Sequence, residues 1–357
     1  MVKLFGGNAM IKVSVLVPIC NVEKFLDKCL GSIVNQTLTD IEIICINDGS
    51  KDSSLEIIKK FAQNDQRIVV IDKPNSGYGD SMNRGMTIAK GEYIGIVESD
   101  DFINTNMFEE LYLLAKEYDA DIVKSNYNLY WEKSKDVFKY YNNLRIDKVV
   151  SDRDNAKEQI LWRAPSIWSA IYKRSFLTAN EIKFLSTPGA SYQDTSFNFK
   201  TAALANRAVL TPKAYLNYRQ DNSNSSVKIA TKEKVMMLHK EYDEIKSFVE
   251  QMNFVELKQT YIVHRFRGNL WNYGRIKEDL TKEYFEIFSE EIVRQSESDK
   301  VYKNSMISVF GTWMYGAMKM KNKALFDILL KAYNRKEKTL RSLAKRNLYK
   351  NRKFKWL

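Results

Sequence analysis

No stretch of this chain approaches 18 consecutive apolar residues, the length that a membrane-spanning helix needs. Met1–Met10 is Gly-rich and lacks the apolar segment of a secretory signal, so residues 1–10 read as an N-terminal extension or a cloning remnant. Cysteine is scarce. Cys20, Cys29 and Cys45 are the only three, without C-x-x-C spacing, which speaks for reduced, cytosolic thiols and against a disulfide framework. The two histidines, His239 and His264, fall in stretches of helical spacing and read as ordinary helix residues rather than ligands. No G-x-x-x-x-G-K-[ST] phosphate loop occurs, Gly77-Tyr-Gly79 is not the G-x-G-x-x-G fingerprint, and there are no internal repeats. Charge is unevenly spread. The net charge is +12, but Lys331–Leu357 holds eleven Lys and Arg against one acid, Glu337, leaving the rest of the chain close to neutral.

What is present is a regular alternation. Ile11–Val17 reads as a strand closed by Pro18, Glu23–Ile33 as a helix, and Ile41–Ile46 as a second strand ending in Asn47-Asp-Gly-Ser50. Asp52-Ser53 opens another amphipathic helix, Arg67–Asp72 is a third strand, Ser81–Ala89 a helix and Tyr93–Val97 a fourth strand. Such alternation implies an α/β fold, a mostly parallel sheet with helices on both faces, whose ligands sit beyond the carboxyl ends of the strands. Further on, Ile122–Tyr130 and Ser166–Tyr172 read as strands and Asn155–Trp162 as a helix. From about Thr231 strands vanish, and 232–252, 257–275, 282–297 and 305–333 all carry helical periodicity. The expected division is an α/β domain over 11–228, a helical domain over 229–333 for acceptor binding or oligomerisation, and a basic amphipathic tail over 334–357.

The fourth strand ends in Glu98-Ser99-Asp100-Asp101, three carboxylates in four residues. Uncompensated carboxylates at a buried strand end resist desolvation, and a hard cation, Mn²⁺ or Mg²⁺, shared with a substrate phosphate would neutralise them. Asp101 alone reads as the cap of the helix that follows. Asp48, at the second strand end, could accept from a base N–H or a ribose hydroxyl, or simply form a turn before Gly49. Glycines in the loop Asn75–Gly85 would let backbone approach a ligand. Asp194 stands just before an expected helix over Thr195–Ala205, either as its cap or as a general base for an acceptor hydroxyl. Trp168, on the expected strand, is core or a face on which a sugar packs.

Taken in order, Val15–Leu26, Ile43–Ser54, Ala89–Asp101, Ile167–Leu177, Gln193–Phe197 and Tyr218–Ser226 resemble the segments of family 2 glycosyltransferases with a GT-A fold. The resemblance runs from about Ile11 to Ser226. It implies that Pro18, Asn21 and Asp48 hold the uridine of a UDP-sugar, with Asn75, Gly77 and Asn83 in the glycine-rich loop beside it. Glu98-Ser99-Asp100 would be the D-x-D motif, with Asp100 on the metal and Glu98 near the ribose or metal. Asp194 would be the catalytic base, Trp168 would lie on the acceptor side, and Arg219 with Ser225 would belong to a mobile loop over the diphosphate. Three positions depart from the pattern: Glu98 replaces the usual Asp, Gln193 the common Glu, and Met82 the Arg of the glycine-rich loop.

The implied activity is metal-dependent, inverting sugar transfer to a hydroxyl of a lipid-linked or protein-linked glycan in bacterial polysaccharide or glycoprotein assembly. A catalytically silent glycan-binding scaffold, or a sugar nucleotidyltransferase on a similar sheet, are the alternatives. The second would want a Gly-rich basic loop after the first strand, which Pro18–Glu23 lacks. The tail suits a helix on anionic lipid, placing the protein in the cytoplasm and peripherally at the inner face of the membrane. No nucleic-acid motif occurs, so nucleic acid is not an expected partner.

Overall fold

The computed structural model describes residues 10–132, 139–141, 149–151, 156–163, 165–222, 231–253, 255–299 and 309–335. The chain divides into two compact units, Met1–Ile229 with Met237–Phe248, and Ala230–Met236 with Val249–Leu357.

In the first unit β1 (Val13–Ile19) is buried at every position, as a near-continuous apolar run between two helical layers should be. Helix α1 (Glu23–Val34) covers it with Leu26, Cys29, Leu30 and Ile33, one apolar stripe at helical spacing. β2 (Ile41–Asp48), α2 (Ser54–Asn64), β3 (Ile68–Lys73), α3 (Tyr78–Ile88) and β4 (Tyr93–Ile96) continue the alternation. β1 pairs in parallel with β2 and β4, and β2 with β3. After β4 come β5 (Phe102–Ile103), α4 (Met107–Tyr118), β6 (Ile122–Tyr130), β7 (Lys139–Tyr141), β8 (Val150–Ser151), α5 (Ala156–Leu161), β9 (Ala170–Lys173), α6 (Arg174–Ala179), α7 (Gln193–Leu204) and β10 (Ala208–Arg219). The strand order is β3-β2-β1-β4-β9-β6-β10-β5. Four strands of the sheet run against the rest: β9 is antiparallel to both β4 and β6, β5 to β10, β7 to β6 and β8 to β10. β10 breaks register around Pro212, which has no N–H to give the ladder.

Several sequence expectations shift. Trp168 is not on a strand: Ile167–Ser169 form a short 3₁₀ turn and the strand begins only at Ala170. Helix α3 starts at Tyr78 rather than Ser81, because Gly77, at φ 93°, turns the chain and its carbonyl accepts the Ser81 N–H. Helix α7 begins at Gln193 rather than Thr195, which places Asp194 inside its first turn.

The second unit is helical. It takes in the ends of α8 (Lys232–Gln251), then α9 (Val255–Tyr273), α10 (Thr281–Asp299), α11 (Val309–Lys319) and a helical stretch at 323–335. Its core is aromatic, built on Phe266, Tyr273, Phe285, Phe288 and Phe326. The single helix expected over 305–333 is two: Lys321 takes a left-handed φ of 50° and Asn322 N donates back to Ala317 O, a helix-ending loop. Asn322 Oδ1 then accepts from Leu325 N at 3.0 Å and starts the next helix. No described helix is long and apolar enough to cross a membrane.

Candidate active site

The parallel strands β1 to β4 end on one edge, and the residues singled out in the sequence gather there. At the tip of β2, Asp48 is engaged by its own protein: Oδ1 accepts the Lys73 ammonium and the Ser76 N–H (2.8 Å), and Oδ2 accepts the Gly77 N–H (3.0 Å). Lys73 also reaches Ser76 and Asp80. Asn75 donates to Asp48 O at 2.9 Å, and Gly49 must be glycine because a Cβ there would lie 2.7 Å from Asn75 N. Asn21, with a left-handed φ of 54°, accepts from Lys51 N at 2.8 Å and so ties the end of β1, beside buried Pro18, to the end of β2. These bonds shape a loop at the strand edge before any ligand arrives. Asn83 faces elsewhere: its carboxamide donates to Phe184 O and accepts from Phe184 N, both at 2.9 Å.

Beyond β4 the chain makes the acidic turn, closed by Asp101 N donating to Glu98 O at 3.0 Å, with Ser99 buried. Asp101 does not cap α4, whose N-cap is Asn106 without a side-chain bond. Instead it is 1 % exposed, Oδ1 accepts the Arg219 N–H at 2.8 Å, and Oδ2 has no hydrogen-bond partner. Burial and the neighbouring Asp100 push its carboxyl well above the usual range. Arg219, expected on a mobile loop, is the last residue of β10 and is buried. Its Nε donates to Asp100 O at 2.8 Å, its Nη1 pairs with Glu132, and its plane lies 4.5 Å from the Phe25 ring centroid. Asn222 donates to Asp100 Oδ2 at 2.8 Å. Ser225 lies outside the described residues.

Half-buried Glu98 accepts from the Tyr78 hydroxyl at 2.7 Å. Burial raises its carboxyl to about 8; the Tyr78 bond opposes the rise, and Asp100 and Asp194 add to it. Asp194 is therefore near enough for its charge to be felt. Its own carboxyl is pushed up to about 6, chiefly by burial, against a counter-pull from Lys124. Lys124, in the middle of β6, is 1 % exposed, and its ammonium donates to Ser166 O at 2.5 Å. Burial lowers it to about 7. Glu241, on the part of α8 that belongs to this unit, is fully buried, accepts the Ser196 N–H of α7 at 3.2 Å, and is raised to about 7 by burial. Gln193 accounts for one departure in the sequence: its carboxamide accepts from Ser191 N (2.6 Å) and donates to Thr187 Oγ1 (2.8 Å) and Gly189 O (3.2 Å). A carboxylate could not make the last bond, because the Gly189 carbonyl only accepts. Trp168 stacks on Tyr218 at 5.1 Å and 20°, and Tyr218, which feels Asp101, Asp100, Asp194 and Glu98, faces the acids.

The structure thus brings Glu98, Asp100, Asp194, Trp168 and the Asp48 loop to one region of the sheet. Tyr78, Lys124 and Glu241 were not anticipated. A lone lysine in the apolar strand Ile122–Tyr130 was the available signal for Lys124; Glu241 gave none, since its role depends on a helix 45 residues away in sequence. Among the described residues no three His, Cys, Asp or Glu side chains converge on one point. The acids still suit a dication: they are hard oxygen donors, neighbouring acids raise Glu98 and Asp101, and Asp101 Oδ2 is buried without a partner among the described residues. A Mg²⁺-type ion takes one or two carboxylates and completes its shell with water and phosphate oxygens, so two protein donors suffice.

Solved structures of S. aureus TarS share the fold: residues 1–349 in complex with UDP-GlcNAc align at TM-score 0.71, covering 91 % of this chain and 92 % of that one at 19 % identity. Among curated proteins, glycosyltransferase GlyA of Streptococcus pneumoniae serotype 4 is 34 % identical over 219 residues, 58 % of this chain and 30 % of GlyA. The uncharacterized glycosyltransferase YibD of Escherichia coli K12 is 29 % identical over 250 residues, 69 % of this chain and 72 % of YibD. The chain thus spans under a third of GlyA's length and most of YibD's. Residues 14–205, which carry β1 through α7 and with them Asp48, the acidic turn and Asp194, match the glycosyl transferase family 2 model, and the chain belongs to that family.

Proposed function

We propose that this glycosyltransferase moves a sugar from a UDP-sugar to a hydroxyl of a bacterial surface glycan, with inversion at the anomeric carbon. The observation that carries the reading is that Asp194, in the first turn of α7, stands close enough to Glu98, just beyond β4, for its charge to raise the Glu98 carboxyl, so that carboxylates from two different elements share one region of the sheet edge. One serves the leaving diphosphate and the other the incoming hydroxyl. The UDP-GlcNAc complex named for TarS supports a UDP-sugar as donor.

In this reading Pro18, Asn21, the Asp48 loop with Asn75 and Gly77, and the turn at Ser99 receive the nucleotide. Asp100, with Glu98, would hold Mn²⁺ or Mg²⁺, which when bound stabilises charge on the departing diphosphate. Asp194 accepts the proton of the attacking hydroxyl; a carboxyl raised to about 6 is ionised at neutral pH and more basic than an ordinary aspartate. Lys124 favours that ionised state. The Trp168–Tyr218 stack offers the acceptor sugar an aromatic face. A single base opposite the leaving group gives in-line displacement, and therefore inversion. The basic segment 334–357, nearly all of it outside the described residues, is proposed on composition to lie on anionic lipid.

Incubating the protein with a panel of UDP-sugars and Mn²⁺, and following UDP release, tests the reading. Release from at least one donor, abolished by chelation, is expected. No release from any donor, together with no UDP binding by calorimetry, would overturn it.

A further inference from the structure

Tyr78, the first residue of α3, contacts both the acidic turn and the segment that leads into α7. Its hydroxyl donates to Glu98 Oε1 at 2.7 Å. Its backbone N–H donates to Gly189 O at 2.9 Å, in the segment that leads into α7. Its ring meets Phe184 edge-on at 5.9 Å and 77°. Phe184 in turn stacks on Phe197 at 4.0 Å and 5°, and Phe197 sits on α7 three residues after Asp194. The segment is pressed closely here. A Cβ on Gly77 would lie 2.6 Å from Thr187 O, and one on Gly79 would lie 2.1 Å from Leu185 O.

We propose that Tyr78 is a positioning residue that fixes the acidic turn and the base-bearing helix relative to each other, and that Tyr78 and Glu98 act as one unit. This rests on the transferase reading in assigning Glu98 to the leaving-group side and Asp194 to the acceptor side. The pair also accounts for the glutamate at position 98. An aspartate would be shorter by one carbon–carbon bond, about 1.5 Å, which takes its oxygens out of hydrogen-bond range of the phenol. The longer arm and the tyrosine therefore require each other. Sugar transfer needs donor and acceptor groups aligned within a fraction of an ångström, and a residue whose hydroxyl holds Glu98 while its backbone N–H and ring hold the segment before α7 supplies that alignment without touching either substrate.

The test is a double-mutant cycle with Tyr78→Phe, Glu98→Asp and the pair, each checked for an unchanged melting temperature and for UDP affinity in Mn²⁺ by calorimetry. UDP release is measured from UDP-glucose, UDP-galactose, UDP-GlcNAc and UDP-GalNAc. Each single change is expected to lower kcat about tenfold, as loss of a buried hydrogen bond does, with the UDP affinity of Tyr78→Phe within threefold of the parent. The double variant should be no more than about twofold slower than the slower single one, because the same bond is lost in both. Glu98→Gln keeps an oxygen for the phenol, so Tyr78→Phe should still cost its tenfold in that background. Losses that multiply to about a hundredfold, or a Tyr78→Phe enzyme of unchanged kcat, would overturn the proposal. Should Tyr78→Phe not fold, Glu98→Asp reads the same bond from the other end: hydrogen exchange of peptides covering 185–197 must then rise, and exchange equal to the parent would overturn the coupling. If the parent neither binds UDP nor releases it, the transferase reading fails, and this exchange measurement still decides on the pair.

Discussion

At the scale of single residues the proposed chemistry concentrates at Asp194. Replacing it by Asn keeps its shape and removes the proposed base. Transfer should fall by about 10³-fold or more, towards background, while calorimetry finds UDP affinity within a factor of three; lost UDP binding would move the residue to the donor side. Its pH behaviour follows from its surroundings. The base works when ionised, so kcat should fall as pH drops through about 6. Lys124 pulls that value down, and Lys124→Met, which removes the charge at similar volume, should shift the acidic limb of the pH–rate profile to higher pH. An unmoved limb would separate the two groups. Asp48, Asp100 and Asp194 were legible because each stands at a strand end or helix start within a recognisable run. Tyr78, Lys124 and Glu241 were not, because a buried polar group takes its meaning from partners 20 to 45 residues away, which local pattern does not report.

At the scale of elements, the strand–helix alternation of the first 90 residues could be read because β1, β2 and β3 are each followed by a helix. Reading failed where an element is short or its end is set by a single φ. β9, four residues long and antiparallel between two parallel strands, left Trp168 on a turn, and a left-handed Lys321 cut one expected helix in two. The acidic turn is held in place by the packing under β4. Gly95 lies against Phe108, and an added Cβ would sit 2.4 Å from that ring. Gly95→Ala should therefore destabilise the protein by about 1–3 kcal/mol, read as a lower urea midpoint; an unchanged midpoint would mean that Phe108 can turn aside. Its UDP affinity should fall with it, since Glu98 and Asp100 follow three and five residues later.

For the molecule as a whole, the buried acids of the first unit set how stability depends on pH. Glu98, Glu241 and Asp194 are raised to about 8, 7 and 6, so the folded chain holds their protons over a pH range in which the unfolded chain has released them. Stability must then fall as pH rises from about 5 to 7. Lys124, depressed to about 7, works in the opposite sense but only above that value. The ligand-free protein should melt at lower temperature at pH 7 than at pH 5.5, and Mn²⁺ with UDP should recover the difference; a melting temperature that rises with pH would contradict these assignments. The basic tail gives a second test at this scale. Removing 336–357 should abolish sedimentation with phosphatidylglycerol vesicles and leave UDP affinity unchanged, and retained sedimentation would relieve the tail of that role.

The carboxylate of Asp48 already accepts three hydrogen bonds from the end of β3 and the loop before α3. The nucleotide proposed to bind there would meet a finished surface, with little disorder to freeze out on contact. Association observed by stopped flow should accordingly be a single phase, linear in ligand concentration, with no slow ordering step behind it. Asp48→Ala would loosen the loop, and its signature would be a saturating rate before any change at equilibrium becomes large.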